Sequence, residues 1–177
     1  MERKVTFGNL IKYGVLLGLA LIIISLIQIY LKNFVAQDIS LIFMLLKVGI
    51  YVYFVYCTIR FAVKYLYAEK YSFAKGVKSA LFVGVIAAVL VCIYQYIEMK
   101  FITPDVYQEQ IEIAIDDAMG RGVPEGMSET IRSMFVIMAV IFAFIKTVLI
   151  SLLAALFIAP FFKKRQATII NEELSNN

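Results

Sequence analysis

Residues 134–157 read MFVIMAVIFAFIKTVLISLLAALF, an apolar run in which Lys146 is the one charged residue. A helix needs about 20 mostly apolar residues to cross the hydrocarbon core of a bilayer. This run therefore predicts a membrane-spanning helix. The composition agrees, because 62% of the 177 residues are hydrophobic and 17% are charged, whereas a soluble domain is roughly half apolar and about a quarter charged.

Three further runs are long and apolar enough to span a bilayer. They cover residues 13–31, 39–59 and 77–97. Lys47 is the one charge inside the second of them. We expect an all-α integral membrane four-helix bundle, formed by a single domain over residues 1–165 and followed by a short cytoplasmic tail over residues 166–177. Pro160 follows the fourth run, and we expect the helix to end there.

Basic residues are distributed unevenly on the two sides of the predicted spans. One side holds eleven of them, in the N-terminal segment, in the loop from Arg60 to Lys78 and in the C-terminal tail, and the other side holds four. The cytoplasmic side of a membrane protein carries the excess of Lys and Arg. The sequence therefore predicts that both termini lie in the cytoplasm.

The segment between the third and fourth runs, residues 98–132, carries eight acidic residues against three basic ones. Thr103-Pro104-Asp105 is typical of a helix start, with an N-cap threonine, a proline at the first position and an acid next. Apolar residues then recur at helical spacing until Gly120-Arg121-Gly122, and Ser128 can begin the next helix. We expect an amphipathic outer helix whose apolar face packs on the ends of the spans.

Lys47 and Lys146 are the main functional candidates. Each costs about 2.5 to 3.5 kcal/mol at a helix centre, so a membrane protein usually keeps such a residue where packing or function uses it. Neither has an acid in its own run, and the nearest acids, Asp38 and Glu98, are expected at the outer surface. Aligning the second run with the fourth places Lys47 on Lys146, as in an internal duplication with both lysines at similar depth.

Three interpretations of the two lysines remain open. They can turn inward and bond to backbone carbonyls or hydroxyls, they can hold the anionic group of a substrate or lipid, or they can meet an acid of a partner membrane protein. The polar residues that can take part in such a site, besides the lysines, are Tyr51, Thr147 and Ser151.

Small residues recur every four positions in two of the runs. Gly14 and Gly18 do so in the first, and Gly76, Ala80 and Gly84 in the third. Such stripes allow helix backbones to approach closely in a bilayer. We expect these residues at helix contacts, either within the chain or in a homo-oligomer.

The motifs of common enzymes are absent from the sequence. It has no His, no HExxH, no GxSxG and no P-loop, and its acidic residues lack the spacing of a calcium loop. We therefore predict no catalytic residue, metal, cofactor or nucleic-acid partner. The favoured function is a non-catalytic accessory or oligomeric membrane component with a membrane-protein partner. The alternative is a small transporter or channel for an anionic substrate that uses Lys47 and Lys146.

Three short motifs lie at the two ends of the third run. They read YSFAKGVK over residues 71–78, YQYI over residues 94–97 and KFITPD over residues 100–105. In these motifs the chain resembles an uncharacterised bacterial family of four-span inner-membrane proteins, described as a domain of unknown function. The resemblance implies the fold and the bacterial inner (plasma) membrane. It implies no activity.

Overall fold

The structure, a computed structural model, describes three stretches of the chain. They are residues 2–32, 39–66 and 71–175, with the backbone alone for residues 2–6, 125 and 163–175. Asp38, one of the two acids nearest to the lysines in the sequence, lies outside these stretches.

The described residues form five α-helices. They are α1 (Glu2–Lys32), α2 (Ser40–Phe61), α3 (Phe73–Ile97), α4 (Pro104–Gly120) and α5 (Ser128–Ser175). Four helical segments are long and apolar enough to cross a membrane, namely Phe7–Lys32, Ser40–Leu66, Phe73–Ile102 and Ser128–Phe162. The predicted all-α architecture, with four spans and a shorter helix between the third and the fourth, is confirmed.

Two of the spans end in a π-helical turn. Ala62–Leu66 extends α2, and Glu98–Ile102 extends α3. The second turn is closed by the Thr103 backbone N–H, which donates to the Glu98 carbonyl oxygen at 3.0 Å. Turns of this kind widen a helix by one residue and often occur at functional sites. Because of this turn the third span ends at Ile102, whereas the sequence predicts an end at Ile97.

Helix α4 begins and ends where the sequence predicts. Pro104 is its first residue, although the Thr103 side chain makes no capping hydrogen bond. After Gly120 the chain turns at Gly122, whose φ of 89° is a left-handed conformation that favours glycine. Ile111 and Ile115 are buried and the acidic face is exposed. The apolar face of α4 therefore packs on the bundle.

The expectation that the fourth span ends at Pro160 is wrong, because α5 continues through Pro160 to Ser175. Proline removes one hydrogen bond from a helix interior. Here tertiary packing supports the helix before Pro160, and the Phe162 ring packs on the Tyr56 ring after it. Ala155 and Ala159 are fully buried, and the Tyr71 hydroxyl donates to the Ala159 carbonyl oxygen at 3.4 Å.

The end of the bundle opposite α4, called the dense end below, holds a cluster of six buried side chains. Helix α3 packs between α1 and α5, and α2 packs on α5 and α1. The dense end is built from small and β-branched side chains, namely Val55, Ile59, Ala80, Ala154, Ala155 and Ala159. Small side chains let the helix axes approach closely. At the α4 end a cavity takes the place of this packing.

Candidate functional site

The α4 end of the bundle contains a cavity of about 780 Å³ to which all five helices contribute. Sites for small molecules typically enclose about 300 to 1,000 Å³, so this volume suits a small organic ligand. The polar side chains that line it include Gln28, Lys47, Tyr94, Glu98, Tyr107 and Lys146. Both of the lysines singled out in the sequence thus reach one site.

Lys47 lines the cavity from α2. Its Nζ donates a hydrogen bond of 2.8 Å to Oε1 of Gln28, which lies on α1. In the sequence, Tyr51 on the same helix is one of several groups that could bond to Lys47 if the lysine turns inward. Tyr51 is buried and lines the cavity too, but the side-chain amide of another helix is the group that meets the ammonium.

Lys146 lines the cavity from α5, and its side chain is exposed there. Among the described residues its ammonium group makes no hydrogen bond and no ion pair within 4 Å. The neighbouring Thr147 is buried and lines the cavity, and its Oγ1 has no hydrogen bond of standard geometry. Ser151 lies outside the cavity lining, where its Oγ donates to the Thr147 carbonyl oxygen at 3.0 Å.

Glu98 is the residue that the sequence placed wrongly. It was expected at the outer surface, but it lies in the π-helical turn at the end of the third span, half-buried and lining the cavity. There it interacts electrostatically with both Lys47 and Lys146. The cause is the π-helical turn, because the span continues helically to Ile102 and keeps Glu98 on the bundle.

Two tyrosines lie beside the Glu98 carboxyl group. The Tyr94 hydroxyl faces it, is buried, and makes no hydrogen bond of standard geometry. The Tyr107 hydroxyl of α4 also faces it and accepts a hydrogen bond from Nε2 of Gln95. Burial, and then the negative charge of Glu98, raises the pKa of Tyr107. The protonated phenol can therefore donate a hydrogen bond to the carboxylate.

The interior of the cavity carries an uncompensated positive charge. Two ammonium groups face one carboxylate, and Lys32 adds a further cation on an exposed side chain of the lining. A charge taken out of water needs a partner or a set of hydrogen bonds. The chemistry of this arrangement favours an anion between the lysines.

Gln28, Glu98 and Tyr107 were missed as site residues from the sequence. A signal existed for the first, because Gln28 interrupts the apolar stretch LIQIY near the end of the first run. Polar residues inside a span usually face the bundle or a water-filled cavity. No local pattern shows that these residues meet, since they come from three different helices.

Three glycines of the small-residue stripes lie at helix contacts within the chain. A Cβ on Gly14 would come within 2.7 Å of the Ile86 Cβ, and one on Gly84 within 2.6 Å of the Ser151 Cβ. The third is Gly18, which faces Leu90 of α3. Ala80 is fully buried, and Gly76 faces Tyr71, just before α3 begins. These distances require backbones without side chains at the contacts of α3 with α1 and α5.

The described residues hold no group of three His, Cys, Asp or Glu side chains that could bind a metal ion. Cys57 and Cys92 are both free. The Cys92 thiol lies 3.4 Å from the Val140 carbonyl oxygen, where it acts as a weak donor.

The four spans and the cavity define a multi-pass integral membrane protein with a polar interior site. The chain belongs to the family described as "Protein of unknown function (DUF4199)", whose model matches residues 12–164. The match includes the first span from residue 12 onward, the three other spans, and the segment between the third and the fourth. The resemblance seen in the sequence is therefore confirmed at the level of the family. No curated protein and no solved structure matches the chain.

Proposed function

We propose that this membrane protein binds an anionic solute in its cavity and acts as a small transporter or channel for it. The observation that supports the proposal is that Lys47 and Lys146, from two different helices, line one cavity. Binding an anion between two cations in a poorly hydrated site is favourable, because charges interact more strongly there than in water. In this proposal the protein is not an enzyme.

The charge of the site favours a monovalent anion. Lys47 and Lys146 contribute two positive charges and Glu98 one negative charge. One bound negative charge makes this set neutral, and a neutral set is the least costly to hold at membrane depth. A divalent anion would need the charge of Lys32 as well, and Lys32 is an exposed residue of the lining at the end of α1.

The orientation of the site follows from the proposed topology. With both termini in the cytoplasm of a bacterium, as the basic flanks predict, α4 and the cavity face away from the cytoplasm across the inner membrane. A single cysteine at Glu112, in a background without Cys57 and Cys92, tests this. Labelling by an impermeant reagent from the outside is expected, and labelling from the cytoplasmic side alone would reverse the topology.

Binding is tested with Lys47→Met and Lys146→Met, each purified in mild detergent. Methionine has a similar length and no charge. We expect each substitution to weaken the binding of acetate and chloride by about tenfold or more, since at an effective dielectric of about 20 a charge at 4 Å contributes roughly 4 kcal/mol. The matched control is Lys100→Met, because Lys100 lies outside the cavity, near the ring of Tyr96.

Two outcomes are decisive for this proposal. Unchanged binding and uptake into proteoliposomes in both variants, together with better membrane insertion, would end it. An equal loss in the Lys100 control would show a general effect of surface charge. The accessory role with a membrane-protein partner or a homo-oligomer stays a prediction from the sequence, and identification of a protein that copurifies in mild detergent addresses it.

A further inference from the structure

Much of the cavity wall is apolar. The charged and amide groups share it with aliphatic side chains from every span, among them Leu21, Val91 and Ile150 in its lining. A small inorganic anion needs only the polar part of such a site. The apolar part suits a ligand that buries hydrocarbon, at about 0.8 kcal/mol for each CH₂ group.

The mouth of the cavity faces the lipid side of the bundle. Met44 and Val48 on α2 and Val106 on α4 line the cavity, yet their side chains remain 55%, 41% and 49% exposed. We take these exposed apolar side chains to lie at the opening of the cavity. Met44 and Val48 lie inside the membrane span Ser40–Leu66. The opening on the α2 side is therefore at membrane depth.

Two buried hydroxyls of the polar part of the cavity face other polar groups of the lining: the Tyr94 hydroxyl faces Glu98, and Thr147 Oγ1 faces Tyr51. The Tyr94 hydroxyl and Thr147 Oγ1 are buried, 8% and 1% exposed by residue, and neither has a hydrogen bond of standard geometry. A hydroxyl in such a contact can rotate toward an acceptor that is better placed. Both line the same cavity as the two lysines, so a ligand with an anionic oxygen can satisfy them.

We propose that the ligand is an amphiphilic monoanion that enters sideways from the bilayer, with its head group between Lys47 and Lys146 and its hydrocarbon chain along Val48 and Val106. This inference rests on the proposed anion site and names the class of ligand that fits it. The head group exchanges water for the ammonium and hydroxyl groups, and the chain stays in apolar surroundings throughout. Such a ligand meets both halves of the lining, which a hydrophilic anion does not.

The test compares linear carboxylates of increasing chain length, acetate, hexanoate and decanoate, with the full-length protein in phosphatidylcholine nanodiscs. Empty nanodiscs correct for partition into lipid, and decanol serves as the uncharged match for decanoate. We expect affinity from water to rise about fourfold for each added methylene. We also expect decanol to bind far more weakly than decanoate.

A bulky side chain at the mouth separates chain binding from head-group binding. Val48→Trp is expected to weaken decanoate binding by about tenfold and to leave acetate binding unchanged. Leu45→Trp is the matched control, because Leu45 is an exposed residue of α2 that does not line the cavity. Competition by phosphatidylglycerol would identify a lipid head group as the source, and its absence would identify a free single-chain carboxylate.

The failure of this inference is distinct from the failure of the anion site. If acetate binds as tightly as decanoate, or if Val48→Trp and Leu45→Trp have the same effect on decanoate, the amphiphile proposal is overturned. The loss of acetate binding in Lys47→Met would then still support an anion site. If no carboxylate binds to the wild-type protein, both proposals are wrong.

Discussion

The hydrogen bond between Lys47 and Gln28 gives a quantitative test of how the bundle stabilises a charge at membrane depth. The replacement Gln28→Leu keeps a similar side-chain volume and removes the acceptor that lies 2.8 Å from the Lys47 Nζ. Hydrogen bonds to charged groups contribute about 1.5 to 3 kcal/mol, and a polar group left without its partner carries a further desolvation cost. We expect Gln28→Leu to lower the free energy of unfolding by about 2 kcal/mol.

The same substitution is expected to have almost no effect when Lys47 is already methionine. In Lys47→Met no ammonium needs the amide, and the variant alone should be as stable as wild type or more stable, because a lysine is costly at membrane depth. The double-mutant cycle then isolates a coupling energy of about 1.5 to 3 kcal/mol. The free energies come from reversible unfolding with SDS in mixed micelles, followed by far-ultraviolet circular dichroism.

Gln110→Leu provides the control for this cycle. Gln110 lines the same cavity from α4 and is exposed, so its loss changes the polarity of the cavity and not the bond to Lys47. A Gln28→Leu cost that is the same with Lys47 as with methionine would refute the reasoning. It would mean that water, and not the amide, satisfies the ammonium.

Two further predictions concern helix contacts. Gly84→Ala should destabilise the protein by about 1 to 3 kcal/mol through overpacking, because a Cβ there would lie 2.6 Å from the Ser151 Cβ. A Cβ on Gly49 meets nothing within 4 Å, so Gly49→Ala should stabilise α2 by about 1 kcal/mol. Thermal unfolding in mild detergent ranks the two, and the reverse order would contradict the α3–α5 contact. Tyr107→Phe removes the hydroxyl that accepts the Gln95 hydrogen bond. For a bond of about 1 kcal/mol, the rate of amide hydrogen exchange in α4 should rise roughly fivefold. An unchanged rate would show that this bond does not hold α4 in place.

The four spans could be predicted because span length and apolar composition are local properties. The beginning of α4 at Pro104 was equally local, since a proline at the first position is compatible with a helix start. The continuation of α5 through Pro160 was not, because it depends on Ala155 and Ala159 packing against other helices. Tertiary contacts here override a local helix breaker.

The residues of the site also divide into those that local sequence reveals and those that only tertiary contacts bring together. Lys47 and Lys146 were recognised because a charge inside an apolar run is visible in the sequence. Glu98 was assigned to the surface because a span of ordinary length ends before it, and the π-helical turn that extends the span is not encoded by a recognisable pattern. The pairing of Lys47 with Gln28 depends on the register between α1 and α2, which no single run specifies.

The location of the charges at the open end of the bundle explains how the membrane tolerates them. At the dense end, small side chains bring the helices together, and the buried hydroxyls of Thr58 and Ser79 bond to backbone carbonyls of their own helices. At the α4 end, each of the five helices contributes a polar side chain to one cavity, Gln28, Lys47, Tyr94, Tyr107 and Lys146 in chain order, and the π-helical turn adds Glu98. Withdrawal of any helix would leave the charged groups of the others facing lipid, at a cost of several kcal/mol for each unsatisfied group. The same groups that can bind an anion therefore also favour the closed arrangement of the bundle, so an anion that neutralises the lysines should stabilise the folded protein.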